Sequence, residues 1–129
     1  MKQALQALLI SPDPVQRIVC MTGEKAITIR EGHRDYKNGP VMICCHIDPW
    51  CVMAEIKSVR QTIASEVTEE EYTDDGFESR EEMLRGLQSY YPEMTMESSV
   101  TVIRWKNVTG YWTVPKNIFK YAAEHNLFI

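Results

Sequence analysis

The segment GEKAITIR, residues 23 to 30, brings a lysine amine, a threonine hydroxyl and an arginine guanidinium close together in the chain. A threonine hydroxyl becomes a nucleophile only when a nearby base takes its proton. Lysine can be that base if burial or a neighbouring cation lowers its pKa. Lys25, Thr28 and Arg30 could therefore form a small hydrolytic site, or the two cations could bind a ligand without catalysis. The alternative is that both cations are ordinary solvated charges.

The geometry of such a site depends on how this segment folds. The alternation of residues 26 to 30 predicts a β-strand with its two isoleucines on the buried face and with Thr28 and Arg30 on the opposite face. Lys25 lies an odd number of positions from Thr28, so it reaches the same pocket only from an irregular corner that precedes the strand. Gly23 is placed to form that corner, because glycine readily adopts the left-handed conformation that ends a helix.

The rest of the chain predicts the elements that hold this strand in place. Short apolar or alternating runs predict strands in ALLI, VMICCHI, CVMAEIKSVRQTI and VTVIRW. Capping boxes at Thr68 to Glu71 and at Ser79 to Glu82 predict two helices, the second burying Met83, Leu84 and Leu87. Helical periodicity predicts two more, over PVQRIVCMT and from Pro115 onward. This order predicts an α+β fold with a small, mostly antiparallel barrel.

The composition is that of one soluble globular domain. The chain has 129 residues, of which 44% are hydrophobic and 25% charged, and this predicts a single domain over residues 1 to 129. No apolar run approaches the roughly 18 residues of a membrane helix, and no signal peptide is recognisable. We therefore expect a cytoplasmic protein with no membrane partner. The net charge of −4 leaves nucleic acid open, since the acids concentrate between Glu66 and Asp75.

Cys44, Cys45, His46 and Cys51 are the candidates for a metal site. On a strand Cys44 and His46 would share one face while Cys45 would face the other way, and no C-x-x-C spacing is present. We therefore predict no metal and no cofactor. Reduced thiols are expected, because two of the cysteines are adjacent in an apolar run.

The segment after the strand predicted over residues 26 to 30 contains further residues that could contact a ligand. His33, Arg34, Tyr36 and Lys37 lie in a predicted loop, where they could contact a phosphate or a sugar, although a mobile, solvated loop is the simpler expectation. Trp105 follows an alternating strand and could either pack in a core or stack on a base.

GEKAITIR resembles the G-x-K-x-x-x-x-R signature of the ASCH domain family, which is related to the PUA domains that bind RNA. NGPVMI, MAEIKSV, DGFESREEMLRGLQSYYP and VTVIRW follow it in the order of that family, so the resemblance covers residues 5 to 107. It implies a PUA-like β-barrel with flanking helices. Residues 108 to 129 are then expected to form a helical carboxy-terminal extension of the same domain.

The resemblance also implies a site. Small bacterial members of the family that hydrolyse N4-acetylcytidine carry a similar stretch, and Lys25 and Thr28 match two of their catalytic residues. The third role, that of an acid, falls on Asp75, or on Asp74 if the alignment shifts by one residue. These enzymes have a glutamate there, so the acid of this chain is one methylene shorter.

The resemblance further implies that Gly23 and Arg30 contribute to ligand binding. The expected ligand is a modified nucleoside or RNA, and removal of the acetyl group from N4-acetylcytidine is the enzymatic expectation. The alternatives are a non-catalytic RNA-binding module and a ribonuclease that uses the same positive cleft. The oligomeric state is left open.

Overall fold

The computed structural model describes residues 6 to 10, 25 to 45 and 50 to 113 of the chain. Within these ranges the backbone forms five β-strands, two α-helices and one 3-10 turn. Neither described helix is long and apolar enough to cross a membrane. In chain order the elements are β1 (Gln6–Ile10), β2 (Ile27–Glu31), β3 (Gly39–Cys45), β4 (Trp50–Ile63), the 3-10 turn (Ala64–Glu66), α1 (Glu69–Asp74), α2 (Arg80–Gln88) and β5 (Ser99–Thr113).

The strands form one mixed sheet in the order β1-β3-β4-β5-β2. β1 runs parallel to β3, whereas β3 with β4 and β2 with β5 are antiparallel pairs. Together with the two helices, this confirms the small α+β, barrel-like fold class predicted from the sequence. The strand predicted at residues 26 to 30 is present as β2, shifted by one residue.

The packing of the chain separates into two compact units. The first unit comprises Met1–Lys25, Asn38–Ile56 and Trp105–Ile129. Trp105, which the sequence leaves open between the core and a stacking surface, is 1% exposed and therefore a core residue. The described hydrophobic side chains buried in this unit are those of Ala7, Leu8, Val41, Ile43, Cys44, Cys51, Val52, Ala54, Ile56 and Trp105.

The second unit comprises Ala26–Lys37 and Lys57–Arg104. Its core joins one face of the β2–β5 pair to residues from the helices and connecting segments. The two isoleucines of β2 are buried as predicted, whereas Leu84 of α2 is only partly buried. The buried members of the cluster are Ile27, Ile29, Ala64, Val67, Met83, Leu87, Met94, Val100 and Val102.

One expectation from the sequence needs correction. Residues 108 to 113 were expected to belong to a helical extension, but β5 continues through them to Thr113. These positions are rich in β-branched and aromatic residues, which favour a strand over a helix. The helices predicted over residues 14 to 22 and from Pro115 onward lie outside the described residues.

The start of α1 is held by a complete capping box, as predicted. The Thr68 hydroxyl accepts from the Glu71 amide at 3.2 Å, and the Glu71 carboxylate accepts from the Thr68 amide at 2.9 Å. The same carboxylate receives two hydrogen bonds from the guanidinium of Arg60 on β4. Glu71 is only 7% exposed, so this carboxylate is buried with its charge compensated.

The capping box predicted at the start of α2 is only half formed. The Ser79 hydroxyl accepts from the Glu82 amide at 3.1 Å, as expected for an N-cap. The Glu82 carboxylate, however, accepts from the amide of Glu78, one residue before the cap. One hydroxyl and one carboxylate still satisfy two backbone donors at this end of the helix.

The end of α1 is a Schellman motif, which turns the chain sharply after Asp75. The Gly76 amide donates to the Thr73 carbonyl and the Phe77 amide to the Tyr72 carbonyl, at 2.9 Å each. Gly76 has a φ of 94°, a left-handed conformation in which a side chain is strained. The Phe77 ring then lies against α2, where a Cβ added to Gly86 would be only 2.7 Å from Phe77 Cε1.

We expect Gly76→Ala to lower the free energy of unfolding by about 1–2 kcal/mol, because a Cβ is unfavourable in the left-handed conformation. Space is not the cause, since a Cβ at this position meets no atom within 4 Å. Gly76→Asn is the matched control and should cost less, because asparagine tolerates this conformation. Chemical denaturation measures both, and equal losses would refute the explanation.

Glu71 makes the stability of the second unit depend on pH. Burial alone would raise the pKa of Glu71, but the hydrogen bonds from Arg60 and Thr68 outweigh it and hold this pKa below its ordinary value of 4.5. The stabilisation is therefore fully present above pH 4.5 and is lost as the pH falls through the lower folded pKa. Glu71→Gln should cost about 1–3 kcal/mol at neutral pH. The difference in free energy of unfolding between wild type and variant should become smaller in acid, which denaturation at a series of pH values would measure. A difference that is independent of pH would contradict this account.

Candidate functional site

Thr28 and Arg30 lie on the face of β2 opposite the buried isoleucines, as the alternation predicts. Both are partly buried. Thr28 is paired in register with Ile103 of β5, and Arg30 with Thr101. Directly opposed residues of an antiparallel pair share a face. The candidate hydroxyl and guanidinium therefore project from one surface together with two side chains that are fully buried.

Arg30 is a largely desolvated cation on which four neighbouring ionisable groups act. Burial removes water from its guanidinium and lowers the pKa of Arg30; the nearby Arg34 acts in the same direction, while Tyr36, Tyr91 and Asp75 oppose it. These groups come from β2, from the loop after it, from the end of α1 and from the segment after α2. We call these five residues the Arg30 cluster.

The two candidate acids have different surroundings. Asp74, the last residue of α1, forms an ion pair with Arg104 of β5 at 2.8 Å, and its side chain is 44% exposed. Asp75 follows as the C-cap of α1; its Oδ1 atom is buried, and its charge acts on Arg30. Of the two neighbours, Asp75 is therefore the acid that belongs to the Arg30 cluster.

The remaining predicted site residues precede β2. Gly23 lies outside the described residues. Lys25 is partly buried and falls within the first unit, whereas Thr28, Arg30 and Asp75 fall within the second. The expected convergence of Lys25 with Thr28 stays a prediction.

The loop that follows β2 is attached to the strands beside it. The Arg34 amide donates to the Thr101 hydroxyl at 2.8 Å, and this hydroxyl donates to the Gly32 carbonyl at 2.7 Å. Gln61 of β4 donates its side-chain amide to the Arg34 carbonyl at 3.2 Å. The sequence favoured a mobile, solvated loop. His33 and Lys37 are indeed exposed. The loop backbone is nevertheless fixed, because the side chains of Thr101 and Gln61 satisfy its polar groups.

Within the three described ranges, no group of three or more His, Cys, Asp or Glu side chains is arranged to hold a metal ion.

Comparison with solved structures gives the fold a name. A mutant of ZmASCH from Zymomonas mobilis superposes with a TM-score of 0.60 at 10% identity, over 87% of this chain and 77% of that one. A second ZmASCH mutant gives 0.55 at 10% identity over 94% of both chains. The ASCH domain from Lactobacillus crispatus gives 0.53 at 16% identity, over 81% of this chain and 79% of that one.

The chain has the ASCH-domain fold. No protein-family model and no curated protein matches it. At identities this low, likeness to the solved ASCH domains extends to the fold and not to individual site residues.

Two residues on or beside the surface that carries Arg30 were not singled out from the sequence. Tyr91 lies in the Tyr-Tyr-Pro run after α2, where its ring is partly buried against the core of the second unit. Thr101 lies inside the alternating strand VTVIRW and is completely buried. The sequence did contain a signal for Thr101, because it lies on the same strand face as the apolar Ile103. A threonine on a buried face needs hydrogen-bond partners for its hydroxyl.

Thr101 should control the loop that carries Arg34 and Tyr36. We expect Thr101→Val to destabilise the protein by about 1–3 kcal/mol, because a buried hydrogen-bonded hydroxyl is replaced by a methyl group. Hydrogen exchange at the Arg34 amide should accelerate at the same time. Thr101→Ser keeps the hydroxyl, so the Arg34 amide should stay protected in that control. Equal protection in the valine and serine variants would show that this hydroxyl does not hold the loop.

Proposed function

We propose that this ASCH domain binds a nucleoside or an RNA nucleotide at the Arg30 cluster. The carrying observation is the partly buried Arg30, whose guanidinium is desolvated and is accompanied by a second arginine and two tyrosines. A guanidinium already stripped of water pays less to meet a phosphate or a base, and its planar donors suit both ligands. Tyrosine rings supply faces on which a base can stack.

The overall acidity of the chain does not oppose this proposal. The net charge is −4, but the Arg30 cluster contains two arginines against one described carboxylate, that of Asp75. Asp74 is already neutralised by Arg104. An acidic protein with a small cationic site is suited to a single nucleoside or a short RNA segment. A long duplex binds best to an extended basic surface that neutralises many phosphates.

Hydrolysis of N4-acetylcytidine is the finer proposal for the same site. The observation that favours it is the position of Thr28 on the same strand face as Arg30, within the unit that also contains Asp75. In this proposal Lys25 takes the proton of the Thr28 hydroxyl, whose oxygen attacks the acetyl carbonyl. Lys25 then gives this proton to N4 of the base as the C–N bond breaks, and cytidine leaves. Water, oriented by Asp75, then cleaves the acyl-threonine to acetate. Backbone amides near Gly23 would stabilise the oxyanion.

Binding is tested by titrating the protein with N4-acetylcytidine, cytidine and a short single-stranded RNA. Arg30→Met should weaken binding about 10-fold or more, because a hydrogen bond to a charged group contributes about 1.5–3 kcal/mol. Lys57→Met is the matched control, because Lys57 is an exposed cation of β4 that lies outside the Arg30 cluster. Equal losses in both variants, or no binding to any of the three ligands, would overturn the proposed site.

Turnover is tested separately by chromatography of N4-acetylcytidine incubated with the protein. Lys25→Ala and Thr28→Ala should each abolish cytidine release, and the double variant should be scarcely worse than either, since the pair acts as a unit. Asp75→Asn should cost less. Intact nucleoside binding without cytidine release would reject the hydrolase and leave a binding module, and cleavage of the RNA would indicate a ribonuclease.

A further inference from the structure

Two buried cysteines face each other in the first unit, outside the site described above. Cys44 of β3 and Cys51 of β4 are direct partners in the antiparallel register. Their side chains are 0% and 2% exposed. Both are thiols and not halves of a disulfide, and a hydrogen bond joins the two sulfur atoms. The proposed nucleoside chemistry uses neither of them.

The strand register places these thiols close to the geometry of a disulfide. Directly opposed residues of an antiparallel pair have Cβ atoms about 4.5–5.5 Å apart, and a disulfide needs about 3.5–4.5 Å. A small inward movement therefore joins the sulfurs while the strand pairing is kept. The neighbouring Cys45 is in register with Trp50, so Cys51 has Cys44 as its directly opposed cysteine.

We propose that Cys44 and Cys51 form a reversible cross-strand disulfide when the protein meets a peroxide. The thiolate of one cysteine attacks a peroxide oxygen, the O–O bond breaks, and a sulfenic acid and one water result. The sulfur of the other cysteine then attacks the sulfenic sulfur, the S–S bond forms, and a second water leaves with the remaining thiol proton. Two thiols and one hydrogen peroxide thus give one disulfide and two waters.

The hydrogen bond within the pair favours ionisation of Cys51. The hydrogen bond from Cys44 lowers the pKa of the Cys51 thiol, although burial acts in the opposite direction. The thiolate is the form that reacts with oxidants. Since the buried pair has little access to solvent, a small oxidant such as hydrogen peroxide suits it better than a bulky disulfide.

The same geometry makes the bond reversible. A disulfide between directly opposed residues has to draw the two Cβ atoms closer than the sheet spacing holds them, and a strained disulfide is more easily reduced. The bond would act as a temporary cross-link between β3 and β4, which a dithiol removes.

The test exposes the folded protein to hydrogen peroxide, alkylates the remaining thiols and measures the intact mass. We expect a species that has lost two hydrogens and gained no oxygen, and that dithiothreitol returns to the starting mass. Proteolysis before Asp48 separates Cys44 and Cys45 from Cys51, so the two fragments should stay linked until reduction. Sulfinic acid at Cys51, or a link through Cys20, would overturn the proposal.

Adjacent cysteines in the chain provide matched variants. Cys45→Ala should form the link as the wild type does, whereas Cys44→Ala and Cys51→Ala should lose it. If an alanine variant fails to fold, fragmentation of the linked wild-type peptides between Cys44 and Cys45 identifies the bonded sulfur instead. A bond through Cys45, or no linked peptides at all, contradicts the proposal.

Discussion

The buried carboxylate of Glu71 is the constraint on which the second unit depends. A charge taken out of water must be fully hydrogen-bonded, and here Arg60 of β4 and the Thr68 amide supply the donors. A helix as short as α1 does not hold itself together in water. The carboxylate fixes the start of α1 beside β4, and the helix in turn sets the position of Asp74 and Asp75 at its other end.

Local patterns in the sequence predicted most of this frame. The strand alternation of β2 and the capping box at Thr68 each depend on residues that are neighbours in the chain. Arg60 could not be assigned to Glu71 in the same way, because their pairing requires knowing how β4 runs past the helix. The continuation of β5 to Thr113 was missed because the likeness to known ASCH signatures ends before it.

The residues of the candidate site likewise fall into those that local sequence patterns predict and those that only the folded structure brings together. Thr28 and Arg30 were predictable because a strand has a period of two, which fixes their common face. The contributions of Tyr91 and Thr101 were not, since each reaches the site from a distant part of the chain. Asp74 and Asp75 also differ through tertiary structure: Asp74 is paired with Arg104 of β5, whereas Asp75 lies at the turn where the helix ends.

The contact between Phe77 and Gly86 couples two positions of the sequence. The aromatic ring occupies the space where any side chain at position 86 would begin. Related sequences that carry the large ring should therefore keep glycine at position 86, and those with alanine there should carry a smaller residue in place of the phenylalanine. The two positions should therefore change together as sequences diverge. Their covariation would identify the contact between residue 77 and α2 even among relatives of very low overall identity.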